Sequence, residues 1–295
     1  MLKRTLVFSS PMVLSLKNQQ LVMAYKDSTE EKRTVPIEDI GVVLLENQQI
    51  SITMPLLNAL AENEVQVVIC NSKGMPSAML QSMNSNNLQG ETLRKQIDCG
   101  EVIKKQLWKQ VVEAKIRNQA SLLNSIGEDG NVLKPLYMNV RSGDVDNREG
   151  IAARIYFQHL FGEAFTRNRD EPGVNALLNY GYAILRAATC RAIVSSGLLP
   201  AIGIHHHNRS NAYPLADDLM EPFRPFVDGV VYDFAMRGEM ELSKDVKGEL
   251  ISVLYADTMY EKTKRPLSVG LSMTTASMVK CLSKELNTIS MPAFP

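Results

Sequence analysis

QSMNSNNLQ, residues 81–89, divides the chain in two. The stretch is polar and rich in Asn and Ser, the composition of a linker. Before it lie brief apolar or alternating runs at 5–9, 13–16, 21–25, 35–37, 42–45 and 65–69. Polar turns such as Lys17-Asn18 and Asp27-Ser28 separate them, which is the spacing of a small β-sheet domain. One helix interrupts these runs at 54–64, where Leu56, Leu57, Leu60 and Ala61 fall on one face. After the linker the periodicity is helical. A long amphipathic segment at 90–126 is followed by others at 147–163, 172–196, 215–237, 244–256 and 271–286. The expected fold is α+β: a small N-terminal β-sheet domain (1–80), a linker (81–89), and a larger all-α C-terminal domain (90–295). The chemistry is to be sought in the second.

Composition narrows the classes. Of 295 residues, 45% are apolar and 22% charged, ordinary values for a chain with a buried core. The 32 basic and 32 acidic residues cancel. Overall neutrality argues against a generally basic nucleic-acid binder but leaves room for a local basic face. Cys70, Cys99, Cys190 and Cys281 form no CxxC motif and are too few for a disulfide scaffold, so they are expected as reduced thiols. The opening MLKRTLVFSSPMVL is too interrupted by polar residues for a signal peptide. No stretch approaches the roughly 20 apolar residues that span a bilayer. The expectation is a cytoplasmic protein with no membrane partner.

Three segments carry groups that could do chemistry. The first is Gly203-Ile204-His205-His206-His207, which holds three of the four histidines and follows the helix breaker Gly197-Leu198-Leu199-Pro200. It belongs on a turn between helices, either as a solvated loop or as a source of imidazole metal ligands. The second is Asp217-Asp218-Leu219-Met220-Glu221-Pro222. Its three acids would crowd one helical face, which repels unless a cation or arginine offsets it. Pro222 places Glu221 near a helix start or kink. An acidic helix N-terminus is the simpler alternative. The third is Asp146-Asn147-Arg148-Glu149-Gly150, where Asp146 and Glu149 have the spacing of a capping box. Glu149 could instead ligate a metal or pair with an arginine.

Between Arg141 and Arg224 every basic residue other than histidine is an arginine. The guanidinium fork grips phosphate oxygens bidentately, so this region suits a phosphodiester. One imidazole with two carboxylates suits Mn²⁺ or Mg²⁺, and zinc also accepts that set.

Asn147-Arg148-Glu149-Gly150, Ala153-Arg154-Ile155-Tyr156-Phe157, Val174-Asn175-Ala176-Leu177-Leu178-Asn179-Tyr180-Gly181-Tyr182, a Gly-x-x-His and Asp218-Leu219-Met220-Glu221-Pro222-Phe223-Arg224-Pro225 follow one another in this order. Together they resemble the CRISPR-associated integrase family, the first Cas protein, and most of all the version found beside the type II effector. The resemblance spans essentially the whole chain. It implies a metal-dependent DNA endonuclease and integrase that inserts captured DNA into a CRISPR array by transesterification. It also implies Glu149, His206 and Glu221 as catalytic metal ligands for Mg²⁺ or Mn²⁺, with Asp218 behind them as support or helix cap. Arg148, Arg154, Arg167 and Arg169 are expected on the DNA backbone. The implied assembly is a homodimer, two of which flank a dimer of the small second Cas protein in a heterohexamer. Two other classes fit the same residues: a metal-dependent phosphohydrolase of small phosphate esters, and a non-catalytic DNA-binding assembly module.

Overall fold

The computed structural model describes residues 3–25, 32–72, 74–80, 82, 86–168 and 171–295. The Asp27-Ser28 turn, linker positions 81 and 83–85, and Arg169 lie outside them. Two units are distinguished, Met1–Asn87 and Leu88–Pro295.

In the first unit the described strands are β1 (Arg4–Phe8), β2 (Met12–Lys17), β3 (Gln20–Tyr25), β4 (Arg33–Pro36), β5 (Ile40–Leu45), β6 (Ser51–Ile52), β7 (Gln66–Cys70) and β8 (Pro76–Leu80). Helix α1 (Met54–Glu62) connects β6 to β7. One sheet has the order β1-β5-β7-β8, parallel except for β8, and the other the order β4-β3-β2-β6. Every residue of β5 is buried, as in a strand covered on both faces. Leu14, Leu21 and Val35 from one sheet, Phe8, Val43 and Val67 from the other, and Leu56 and Leu60 of α1 share one core. The alternation rule finds six of these strands and misses two. β6 is a two-residue pairing on β2, too short for a pattern. β8 opens with a proline, which is tolerated because β8 is an edge strand.

The second unit is mostly helical. It contains α2 (Gln89–Ile97), α3 (Glu101–Ser125), α4 (Lys134–Met138), α5 (Arg148–Phe161), α6 (Val174–Ser195), α7 (Pro214–Met220), α8 (Arg224–Arg237), α9 (Lys244–Ser252) and α10 (Leu267–Leu282). The segment expected as one helix over 90–126 is two, interrupted at Asp98-Cys99-Gly100 with Gly100 capping α3. The one expected over 215–237 is also two. A single 3-10 turn, Glu221–Phe223, joins them, because Pro222 and Pro225 cannot occupy a regular helix interior. The hairpin β9 (Asp257–Tyr260) and β10 (Thr263–Pro266) is an addition to the expected helices. All four cysteines are buried thiols. No helix of the described residues is long and apolar enough to cross a membrane.

Helix α3 runs through the middle of this unit. Leu107, Trp108, Val111, Val112, Ile116, Leu122 and Leu123 are buried, and so are Lys115, Asn118 and Gln119. A helix buried on most sides loses the one-sided apolar stripe of a surface helix. Helix α6 is similarly enclosed and passes α8 at Gly181, where an added Cβ would lie 2.4 Å from Val227 Cγ1. Gly181→Ala is expected to force the two helices apart, costing about 1–3 kcal/mol. Chemical denaturation checks this, and Val227→Ala in the same chain should restore most of the loss.

Candidate functional site

Helix α5 begins at a left-handed Asn147, φ 51°, whose Oδ1 accepts from Gly150 N at 3.2 Å. Asp144 accepts from the amides of Arg148 (2.8 Å) and Glu149 (3.0 Å). These two side chains satisfy the first-turn donors that a helix start leaves open. The capping box expected from Asp146 and Glu149 is therefore not used. Asp146 pairs with Arg141 at 3.3 Å instead. Glu149 is released from the cap and reaches α3, where Lys115 Nζ donates to its Oε1 at 2.6 Å.

The turn after α7 supplies the second carboxylate. Lys115 Nζ is 2.5 Å from Glu221 Oε2, and Arg224 Nη2 is 2.9 Å from Glu221 Oε1. Lys115 is 7% exposed and Glu221 3%, so this is a buried ammonium between two carboxylates. Burial alone pushes the Lys115 ammonium down, but Glu221 and Glu149 more than reverse it and hold its pKa above the usual value. The same ammonium holds Glu149 below the usual carboxylate range, against its burial. Although in ionic contact, Glu221 Oε2 has no hydrogen-bonded partner in good geometry. Asn118, one turn beyond Lys115, donates to the carbonyl of Pro222 at 2.7 Å and so ties the turn to α3.

The crowded acids of 217–221 thus disperse to separate partners. Asp217 takes Arg186 Nε and Asn211 Nδ2, each at 2.7 Å. Asp218, fully buried, turns to the histidine loop. It accepts from the amides of Ile204 (2.7 Å), His205 (3.1 Å) and His206 (3.2 Å), and from His206 Nδ1 at 2.6 Å. With Nδ1–H donating to a carboxylate, Nε2 is the atom left with a lone pair. That hydrogen bond raises the His206 pKa, burial opposing it. His205 stacks on the buried Trp108 with centroids 4.1 Å apart, and burial lowers its pKa. Gly203 must be glycine for the loop to close: a Cβ would stand 2.8 Å from both Asp218 Oδ2 and His206 O.

Beside the carboxylates is a cavity of about 510 Å³, whose lining includes Lys115, Glu149, Glu221, Arg224, Arg154 and Arg167. Phe157, Phe165 and Tyr182 form its apolar wall. Arg167 is fixed by Asn175 Oδ1 (2.7 Å) and Asn179 Oδ1 (2.6 Å). The Arg224 and Arg167 guanidinium carbons lie 4.5 and 5.5 Å from the Tyr182 ring centroid. Tyr182 and Tyr156 both donate to Asp228, which is 1% exposed, Tyr156 at 2.9 Å. Of the expected DNA contacts, Arg154 and Arg167 face this cavity, and Arg148 does not line it. Sequence reasoning missed Lys115, Gln119, Trp108 and Asp228. The signal for the first two was available: Lys115, Asn118 and Gln119 recur at i, i+3 and i+4 within an apolar helix.

Among the described residues no three histidine, cysteine or carboxylate groups converge to hold a metal ion. Glu149 and Glu221 meet at one cation, the Lys115 ammonium, and His206 is bonded to Asp218. The donor set nevertheless fits a hard divalent ion. Two carboxylate oxygens converge on one cation position, and His206 Nε2 is left as an acceptor.

The family model described as CRISPR associated protein Cas1 matches residues 5–263. A CRISPR-associated endonuclease Cas1 of Neisseria meningitidis serogroup C is 41% identical over 263 residues, covering 88% of this chain and 85% of that protein. A casposase bound to integration product has the same fold, with TM-score 0.78 and 20% identity over 98% of this chain and 93% of that one. A chain of a Cas6-RT-Cas1–Cas2 complex gives TM-score 0.75 and 21% identity, covering 97% of this chain and 35% of that one.

Two outcomes follow from the geometry. Burial raises the Asp228 carboxyl from 3.8 to about 6 despite its two tyrosine donors. The folded state then holds the proton more tightly than the unfolded chain, so stability is full below the unfolded value and declines as pH rises from about 4 to 6. Asp228→Asn should remove up to about 3 kcal/mol of that decline, read as the difference between the two urea-denaturation profiles over this window. Asp218→Asn keeps an acceptor but cannot stabilise an imidazolium, so the His206 pKa should fall toward its ordinary value in an NMR titration.

Proposed function

The chain belongs to the CRISPR-associated Cas1 family, and from that membership we propose a divalent-metal-dependent DNA endonuclease and integrase. It inserts captured DNA fragments into a CRISPR array during spacer acquisition. The observation that carries the reading is the convergence of two carboxylates, half-buried Glu149 and buried Glu221, from separate elements onto one cation position beside an arginine-lined cavity.

Glu149, Glu221 and His206 Nε2 would hold one Mg²⁺ or Mn²⁺. Such an ion supplies Lewis acidity, stabilising charge on the attacking and leaving oxygens of a phosphodiester. In the reaction a 3′-hydroxyl of the captured fragment attacks phosphorus at the edge of a repeat. One P–O bond forms, the P–O3′ bond of the repeat breaks, and the proton passes from the attacking to the leaving oxygen, so no external energy is needed. Water in place of the hydroxyl gives cleavage.

The chain's own residues hold the reactants. Asp218 keeps His206 in the tautomer with Nε2 unprotonated. Arg154 and Arg167, facing the cavity, suit the DNA phosphates, and Arg148 and Arg169 are assigned to the DNA backbone as well. Arg224 neutralises Glu221 and is ordered against Tyr182.

In the assembly, residues 1–80 serve dimerisation, 81–89 link, and 90–295 carry the chemistry. Two homodimers flank a dimer of the small second Cas protein, a partner suggested by the Cas1–Cas2 complex of like fold. DNA as a partner is suggested by the casposase bound to integration product. The Asn147–Gly150 motif supports the type II version of the family. Four buried thiols suit the cytoplasm.

Joining of a short duplex to a repeat-bearing plasmid, with the second Cas protein, tests the reading. Mn²⁺ should support joining and EDTA abolish it. Glu149→Gln, Glu221→Gln and His206→Ala should each lose on the order of 100-fold or more. Joining in EDTA, or normal joining by folded Glu221→Gln, would contradict the mechanism.

A further inference from the structure

We propose that Lys115 is the resident counter-cation of the carboxylate pair: its ammonium holds Glu149 and Glu221 together before a divalent ion binds, and retreats into the adjoining cavity when one does. This rests on the metal site proposed above and adds the device that keeps the site folded without its ion.

The geometry makes the two cations mutually exclusive. Lys115 Nζ lies 2.6 Å from Glu149 Oε1 and 2.5 Å from Glu221 Oε2. A Mg²⁺ ion takes oxygen ligands at about 2.1 Å, so an ion bridging the same two oxygens claims the point the ammonium occupies. Two cations sharing one point in a buried site repel strongly, and one must leave.

The helix cannot carry the lysine away. Asn118 anchors this turn of α3, donating to the carbonyls of Pro222 (2.7 Å) and Pro292 (3.0 Å) and accepting from Phe294 N at 3.0 Å. The movement therefore belongs to the four-carbon side chain. It has somewhere to go, because the cavity of about 510 Å³ is lined by Lys115 itself together with Gln119 and Asp228. Gln119 Oε1, one turn along α3, is buried without a hydrogen-bonded partner. An ammonium leaving the carboxylates finds that acceptor and the Asp228 carboxylate in the same cavity.

The exchange also changes the charge of the site. With Lys115 in place, two carboxylates face two cations, Lys115 and Arg224. A divalent ion replaces one positive charge by two and sends the displaced ammonium into the cavity where Arg154 and Arg167 stand. Ion binding thereby makes the cavity more attractive to a phosphodiester.

Two measurements on the full chain test the exchange. The first labels amines with an acetylating reagent in EDTA or in saturating Mn²⁺ and quantifies Lys115 by peptide mass spectrometry. Labelling should rise several-fold with Mn²⁺, and unchanged or reduced labelling overturns the proposal. The second measures Mn²⁺ affinity by calorimetry for the native protein, Lys115→Met and Lys115→Gln. Freed of a competing cation, the variants should bind about tenfold more tightly and gain more in Tm from Mn²⁺ than the native chain does. Equal or weaker binding overturns the proposal while leaving the metal site intact. Absence of Mn²⁺ binding in all three overturns both. Should neither variant fold, the labelling of the native chain decides.

Discussion

A lysine ammonium enclosed by protein must have counter-charges, and in this chain that requirement brings three elements to one point. Lys115 comes from the middle of α3, Glu149 from the first turn of α5, and Glu221 from the turn between α7 and α8. Breaking a buried pair by removing one member is typically worth about 3–5 kcal/mol, because the remaining charge is stranded. The surrounding structure serves this meeting. Asp144 and Asn147 take over the capping of α5 so that Glu149 is free to reach inward. Pro222 and Pro225 prevent α7 and α8 from running on as one helix. Asn118 fastens the resulting turn to α3.

Division of labour among the acids is the second principle. Asp217, Asp218 and Glu221 would repel one another if all faced one way. They separate instead into a surface-side ion pair with Arg186, a buried acceptor for the histidine loop, and a partner for Lys115 and Arg224. Asp218 does most to shape the histidine loop, since it gathers three amides and one imidazole nitrogen. The same logic extends to the far wall of the cavity, where Asp228 orders Tyr182 and the Tyr182 ring orders Arg224 and Arg167.

The order of β-rich and helical halves was legible because alternation and helical periodicity are local properties of sequence. What periodicity could not resolve were the interruptions. Gly100 and Pro222 each split a continuous apolar pattern, β6 depends on a pairing with the distant β2, and β9 and β10 are four-residue strands too short for an alternating pattern. Glu149 and Glu221 were legible as candidates from charge crowding and from the family resemblance. Their common partner was not, because Lys115 lies 34 residues before Glu149 and looks like one more polar position on a long helix. The capping box at Asp146 failed for a physical reason: Asp144, two residues earlier and itself at a positive φ of 51°, reaches the first-turn amides instead.

The most direct test is anomalous diffraction from crystals of the full chain grown with Mn²⁺. One strong peak is expected about 2.1 Å from carboxylate oxygens of both Glu149 and Glu221, approached by His206 Nε2, with the Lys115 ammonium displaced toward Gln119 and Asp228. A chain saturated with Mn²⁺ elsewhere, with Lys115 still bridging the two carboxylates, would contradict it.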